Sequence, residues 1–188
     1  ALPSDIDRME VVKGGAARAL GAGAMDGAVN IVLKTPSKEP SFVASVVAGD
    51  ASYQEGRLSA STSTGAMAHR VSAQAMRHAG WVSSSDVEMQ SAMYNGALDV
   101  GEGRLRILLG GTNKVFGANG YYTPKFPEQW EHVTTYLGGA NLELPVTEHV
   151  DVFIRGMARV NHDEFRLKRY DPAFYTNKHT TEQYLAQA

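Results

Sequence analysis

Few stretches of this 188-residue sequence hold side chains whose types and spacing could do chemistry. His162-Asp163-Glu164 sets three possible metal ligands side by side. Adjacent strand residues point to opposite faces, so at most His162 and Glu164 converge, and polar residues at a strand end explain the triplet better than a metal site. Ser83-Ser84-Ser85-Asp86 pairs hydroxyls with a carboxylate, yet no histidine at a recognisable nucleophile turn accompanies it, and a polar loop accounts for it. The run Gly21-Ala22-Gly23-Ala24-Met25-Asp26-Gly27 has some of the spacing of a dinucleotide loop. Such a loop follows an apolar strand and opens a long helix, whereas here a charged segment precedes and a strand follows. The glycines therefore read as points where backbones approach closely. No catalytic residue, cofactor or metal is assigned.

Two sets of side chains remain as binding candidates. Phe116, Tyr121, Tyr122, Lys125, Phe126 and Trp130 make one aromatic stretch. Aromatic faces with polar tips suit ligand recognition at a mouth, and they equally suit a girdle at a membrane boundary. The girdle reading is preferred for Trp130 and Tyr136, while Tyr121 and Tyr122 stay open between the two; Tyr121, Tyr122, Lys125 and Phe126 are the candidate ligand contacts. The second set is charged: Arg70, Arg104, Arg106, Arg155 and Arg159 with Asp99, Glu143 and Asp151. Pairing with other charges and with water is the plainer role for these, and gripping an anionic substrate the sharper one.

Composition narrows the classes. The formal net charge is −2, so no basic field calls for nucleic acid, and nucleic-acid binding is not expected. Cysteine is absent, which removes disulfides, thiolate catalysis and thiolate metal sites together. No run approaches 18 apolar residues, the length that marks a membrane-spanning helix; barrel strands leave no such trace because their apolar residues alternate. The sequence begins at Ala1 without a leader, and the expectation is that further segments lie upstream.

The elements that must position these side chains are strands. Ile6 to Lys34 reads as strand, glycine turn at Gly14-Gly15, one helical turn over Ala16 to Leu20, glycine loop and strand. A polar connector with Pro36 and Pro40 follows. Beyond it, alternation predicts eight strands, clearest over Val150 to Asn161, where Val150, Val152, Ile154, Ala158 and Val160 interleave with Asp151, Arg155, Arg159 and Asn161. A half-buried soluble sheet alternates too, so the connections discriminate better. Gly65 to Met67, Gly101 to Gly103 and Pro145 to Glu148 are short, whereas Gly49 to Glu55, Ala79 to Val87, Asn113 to Glu128 and Asp163 to Lys178 are longer. Short turns at one end and long loops at the other are the habit of transmembrane barrels. The phase then puts Val150, Val152, Ile154, Ala158 and Val160 toward lipid and Asp151, Arg155 and Arg159 toward the lumen. The reverse would place arginines in hydrocarbon at about 2 to 4 kcal/mol each.

The leading segment carries a resemblance. Ile6-Asp7-Arg8-Met9-Glu10-Val11, Lys13-Gly14, Ala19-Leu20-Gly21 and Gly27-Ala28-Val29-Asn30-Ile31 with Lys34 is similar to the last segment of the plug domain in TonB-dependent outer-membrane receptors. That segment commonly reads I-E-R-I-E-V-x-R-G-P, then A-L-Y-G, then G-G-x-I-N-I-x-T-K. The chain departs from it at Gly15, at Leu20 and at Asp26. Arg8, Glu10, Gly14, Gly21, Gly27 and Asn30 are the motif positions matched. Phe116 to Tyr122 with Lys125 to Glu131, and Asp163 to Phe165 with Asp171 to Tyr175, resemble outside loops of a branch assigned to vitamin B12 or ferric-chelate uptake.

The resemblance implies an all-β fold: about eight strands of a larger plugged transmembrane antiparallel barrel, preceded by the end of an α+β plug. Residues 1–35 would be plug, 36–41 connector and 42–188 barrel, with Ile6 to Lys34 against the concave face of the sheet. It further implies the outer membrane of a Gram-negative bacterium, a scarce nutrient or metal chelate as ligand, outer-membrane lipid around the barrel, and a TonB complex acting on an upstream segment. Two other architectures fit the strands alone. A closed eight-stranded barrel requires Phe42 to Ala48 to pair with His179 to Ala188, and a soluble all-β module requires Arg155 and Arg159 to be solvent-exposed while Val152 and Ile154 pack into a dry, compact core.

Overall fold

The computed structural model describes residues 2–14 and 27–188, and it divides into two units, Ala1–Thr35 and Pro36–Ala188. In the first, strands β1 (Ile6–Lys13) and β2 (Gly27–Leu33) form an antiparallel hairpin after a short 3-10 turn at Pro3–Asp5. The hairpin's ends need glycine. Gly14 sits at φ +79, a region side chains disfavour, and a Cβ on Gly27 would lie 2.9 Å from the Val12 carbonyl oxygen. The expected helical turn over Ala16 to Leu20, with the motif glycine Gly21, lies outside the described residues.

The second unit is one antiparallel sheet of eight strands in sequence order. These are β3 (Ser41–Ala48), β4 (Gln54–Thr64), β5 (Met67–His78), β6 (Val87–Val100), β7 (Gly103–Gly117), β8 (Trp130–Thr147), β9 (Val150–Arg166) and β10 (Thr176–Gln187). Turns Gly65–Ala66, Gly101–Glu102 and Glu148–His149 close one end with two residues each, and the longer connections 49–53, 79–86, 118–129 and 167–175 lie at the other. Gly65 and Gly101 take positive φ, which lets so short a turn match the twist of its strands. The sheet is open, with β3 and β10 as its edges, so the closed eight-stranded barrel is not the architecture.

Register explains the faces. Residues directly opposite across a ladder share a face. The row Ala44, Leu58, Ala73, Ala92, Gly111, Tyr136 and Val160 runs through seven strands by successive pairing. The row Phe42, Ala60, Val71, Tyr94, Leu109, Gly138, Ala158 and Tyr184 runs through all eight. One face therefore carries two apolar rows, the second running from edge to edge and the first ending at Glu182 on β10. The opposite phase carries Glu55, Arg57, Ser59, Arg70, Ser72, Gln74, Arg104, Arg106, Asp151, Arg155 and Arg159, with Phe153 and Met157 interleaved.

Burial inverts the arrangement of a soluble sheet. Among the described residues the buried strand side chains are Glu55, Ser59, Ser61, Ala68, Ser72, Gln74, Met93, Ala97 and Glu131, all on the polar face. On the apolar face Val46 is 86% exposed, Phe42 69% and Tyr136 58%. Ile154 is 48% exposed, so it packs into no dry core and a soluble module does not fit.

The height of the apolar band is also telling. Val150 to Val160 spans ten steps at about 3.3 Å each, and a strand tilted by about 45° converts those 33 Å into about 23 Å along a membrane normal, close to the ~25 Å lipid-facing band of such barrels. Beyond that band the strands continue. Expectation placed Asn113 to Gly117, Asp163 to Arg166 and Thr176 to Lys178 in connections, whereas the structure keeps them in β7, β9 and β10. Alternation of apolar side chains stops where lipid would stop, but backbone pairing does not depend on it.

Candidate ligand-binding rim

The four long connections are stitched to one another. Ala79 N donates to the Ala51 carbonyl at 2.8 Å, joining the first loop to the second. Asn119 donates twice to the second loop, from its backbone to Ser84 O at 2.9 Å and from Nδ2 to Ser83 O at 2.5 Å. Arg169 N donates to Glu128 O at 2.8 Å, tying in the fourth. Arg169 also forks onto Asp86, Nη1 to Oδ1 at 2.5 Å and Nη2 to Oδ2 at 2.9 Å. The fork holds the Asp86 carboxyl below the usual carboxylate range and raises Arg169.

Loop 118–129 is shaped by one buried amide. Gln129 is 0% exposed; its Oε1 accepts from Tyr122 N at 3.0 Å and its Nε2 donates to Thr123 O at 2.9 Å. Its backbone oxygen accepts from Ala118 N at 2.8 Å. A glutamine can bridge in this way because one side-chain amide both donates and accepts.

That closure presents the aromatic residues. The Tyr122 hydroxyl donates to buried Glu131, and the carboxylate pushes the phenol up to about 12. The Tyr122 ring meets Tyr121 edge-on at 4.9 Å and Phe165 at 4.8 Å, and Phe165 in turn meets Tyr175 at 6.3 Å. Glu131 and Phe165 are paired across β8 and β9 on the phase of the polar face, so this cluster stands on the lumenal side of the rim. Tyr121 remains 80% exposed, with an aromatic face open to solvent. Phe126 lies in a separate group, 5.6 Å from Phe174, with the Lys168 ammonium 3.7 Å above the Phe174 ring. Lys125 touches its own loop, its backbone N donating to Thr123 Oγ1 at 3.4 Å. Trp130 belongs to neither group. It lies on the apolar phase, stacked under Arg166 at 4.3 Å, and Tyr136 stands six residues further along the same face of β8.

The other predicted positions fall in two places. Asp151, Arg155 and Arg159 lie on the polar face of β9, Arg159 Nη1 donating to Gln183 Oε1 at 3.3 Å. Toward the short-turn end Arg104 Nε and Lys38 Nζ both donate to Asp99, each at 2.9 Å. In the hairpin, Glu10 and Asn30 are opposite each other. Asn30 Nδ2 donates to Glu10 Oε2 at 2.9 Å, and Arg8 Nε donates to Glu10 Oε1 at 2.7 Å. These bonds, Asn30 first, lower the Glu10 carboxyl, and Glu10 raises Arg8.

Several contributors were missed from sequence: Gln129, Glu131, Phe165, Tyr175 and the Asp86–Arg169 fork. The fork joins residues 83 positions apart, and no local pattern signals it.

No family model and no curated protein matches the chain. Solved structures do. The siderophore receptor PiuA from Acinetobacter baumannii superposes with a TM-score of 0.71 at 16% identity, over 86% of this chain and 27% of that one. The ferric-catecholate import receptor Fiu from E. coli K12 superposes with a TM-score of 0.71 at 14% identity, over 96% of this chain and 34% of that one. The chain thus spans about a third of those receptors or less. In fold, the chain is similar to a stretch of a plugged siderophore-receptor β-barrel, the type that the motif of residues 6–34 resembles.

Proposed function

We propose that the chain is part of a TonB-dependent outer-membrane receptor for energy-coupled uptake of an iron chelate. Residues 1–35 are the end of the plug, 36–41 the connector and 42–188 the first barrel strands. One observation carries this reading: a continuous eight-stranded sheet whose apolar phase stands exposed while the opposite phase buries Glu55, Ser59, Ser61, Ser72, Gln74 and Glu131 and carries the arginines of β9. That sheet is stable only with lipid on one side and a wet, plugged lumen on the other. An iron chelate is favoured over vitamin B12 because the receptors sharing the fold are a siderophore receptor and a ferric-catecholate receptor.

The ligand would meet the lumenal side of the rim. Tyr121 and Tyr122, backed by Phe165 and Tyr175, offer aromatic surface, while Phe126 and Lys125 lie further along the same loop. The Tyr122 hydroxyl is engaged by Glu131, so this residue contributes a ring and not a polar tip. Force for release would come from a TonB complex acting on a segment upstream of Ile6. No catalytic residue is needed.

The test is uptake by the full-length protein. Cells dependent on it for a ferric siderophore should grow under iron limitation only while TonB is present, and Tyr121→Ala with Phe165→Ala should weaken chelate binding about tenfold or more. Unchanged growth without TonB, or import of cobalamin in place of an iron chelate, would contradict the proposal.

A further inference from the structure

The apolar face does not end in a bare rim. Directly above the row that holds Tyr136 and Val160, register aligns Gln90, Asn113, Thr134, His162 and Thr180, and one row higher it aligns Glu88, Val115, His132, Glu164 and Lys178. These side chains share the lipid-facing phase but, Val115 apart, are polar. Strands β7 to β10 carry them past the ~23 Å band on the long-loop side, which is where lipid headgroups lie.

Between β8, β9 and β10 they line an open cleft of about 290 Å³, including His132, Thr134, His162, Glu164, Lys178 and Thr180. Its chemistry is mostly that of donors. Asn113 Oδ1 accepts from Thr134 Oγ1 at 3.1 Å and from His132 Nε2 at 2.6 Å, which fixes the ring and commits its Nε2–H to Asn113. His162 Nδ1 is fixed against Thr180 Oγ1 at 3.0 Å. Of the cleft's two carboxylates, Asp163 belongs by register to the opposite phase, and Glu164 is bracketed by Arg166 at 2.6 Å and Lys178 at 3.1 Å, so the three charges on this face leave one positive. Arg166 is in turn stacked on Trp130, an indole at the height where indoles anchor to membrane interfaces.

We propose that this cleft seats the phosphate of a membrane lipid headgroup, with Lys178 and the Nε2–H of His162 as its donors and the His132 ring as a wall of the seat. The proposal rests on the outer-membrane reading above. Donors outnumber the single bracketed carboxylate, so the seat is made for an anion and not for a metal cation. Its height, one row above the apolar band on the same face, selects a phosphate attached to acyl chains that lie along Val160, Ala158 and Tyr184.

Native mass spectrometry of the full-length protein tests it, with a phosphorylated glycolipid, a phosphatidylcholine of equal chain length and inorganic phosphate as probes. The glycolipid is expected to be retained about tenfold better than phosphatidylcholine, and His132→Gln/His162→Gln/Lys178→Gln should abolish that preference while the barrel still enters vesicles. Millimolar inorganic phosphate should not displace the glycolipid. Equal retention by the triple variant, equal binding of phosphatidylcholine, or displacement by phosphate would each overturn the seat. Failure of the unaltered protein to enter vesicles would instead refute the receptor reading beneath it.

Discussion

The two faces of the sheet obey opposite rules. On one, Val46, Leu58, Val71, Leu109, Tyr136 and Ile154 stand exposed with no cover; on the other, Glu55, Ser59, Ser61, Ser72 and Gln74 are buried. In water such a sheet would aggregate by its apolar face, since an exposed apolar surface of this continuity is a liability. The contrast teaches that the solvent on each side is different, and that the polar face is built to be covered and wetted from within.

The largest way to break that contrast is to leave the sheet open. Edges β3 and β10 expose rows of unpaired backbone groups, each costing several kcal/mol in hydrocarbon. The 188-residue chain alone should therefore fail to enter liposomes, and protease digestion of the mixture should leave no protected barrel. Next in size is a charge on the wrong face. In the full-length barrel Ala140→Arg or Ile154→Arg should destabilise folding into bilayers by about 2 to 4 kcal/mol, read from urea titrations, while Arg155→Gln on the other face should change it by less than about 1 kcal/mol.

Smaller effects belong to the rim. Tyr122→Phe removes the donor to buried Glu131 and should cost about 1 to 2 kcal/mol locally, seen as faster proteolysis of loop 118–129. The Asp86–Arg169 fork is partly exposed, with side chains 33% and 24% accessible, so Asp86→Asn should cost about 1 kcal/mol or less. Its pH dependence has a definite sign. The folded Asp86 carboxyl is depressed below the unfolded value near 3.9, so the fork's contribution is complete above about pH 4 to 5 and is lost as pH falls through the folded value. Loop 167–175 should be cleaved faster in acid in the wild type, with no such acceleration in Asp86→Asn.

The strands were legible in the sequence because period-two alternation and two-residue turns are local signals. Val150 to Val160 displayed both faces at once. The strand ends were not legible. Past His162 the outward residues become polar, alternation fades, and ladder pairing between β8 and β9 nevertheless continues to Arg166. At the rim, Tyr121 and Tyr122 could be singled out by composition, but whether they served a girdle or a mouth depended on Glu131 and Phe165, which belong to different strands. Trp130 was separable from them only by phase, since it follows the apolar row while their partners Glu131 and Phe165 follow the polar one.

These 188 residues hold no cysteine, so single cysteines introduced among them can report which side meets lipid once any cysteine elsewhere in the full-length protein has been replaced by serine. Ile154→Cys, Arg155→Cys, Ala158→Cys and Arg159→Cys should be placed one at a time in the full-length protein, labelled with a fluorophore and reconstituted in vesicles. Labels at 154 and 158 should be quenched by a lipid-dissolved quencher and ignored by a water-soluble one, with 155 and 159 showing the reverse. Lipid quenching at 155 and 159 with protection at 154 and 158 would contradict the account.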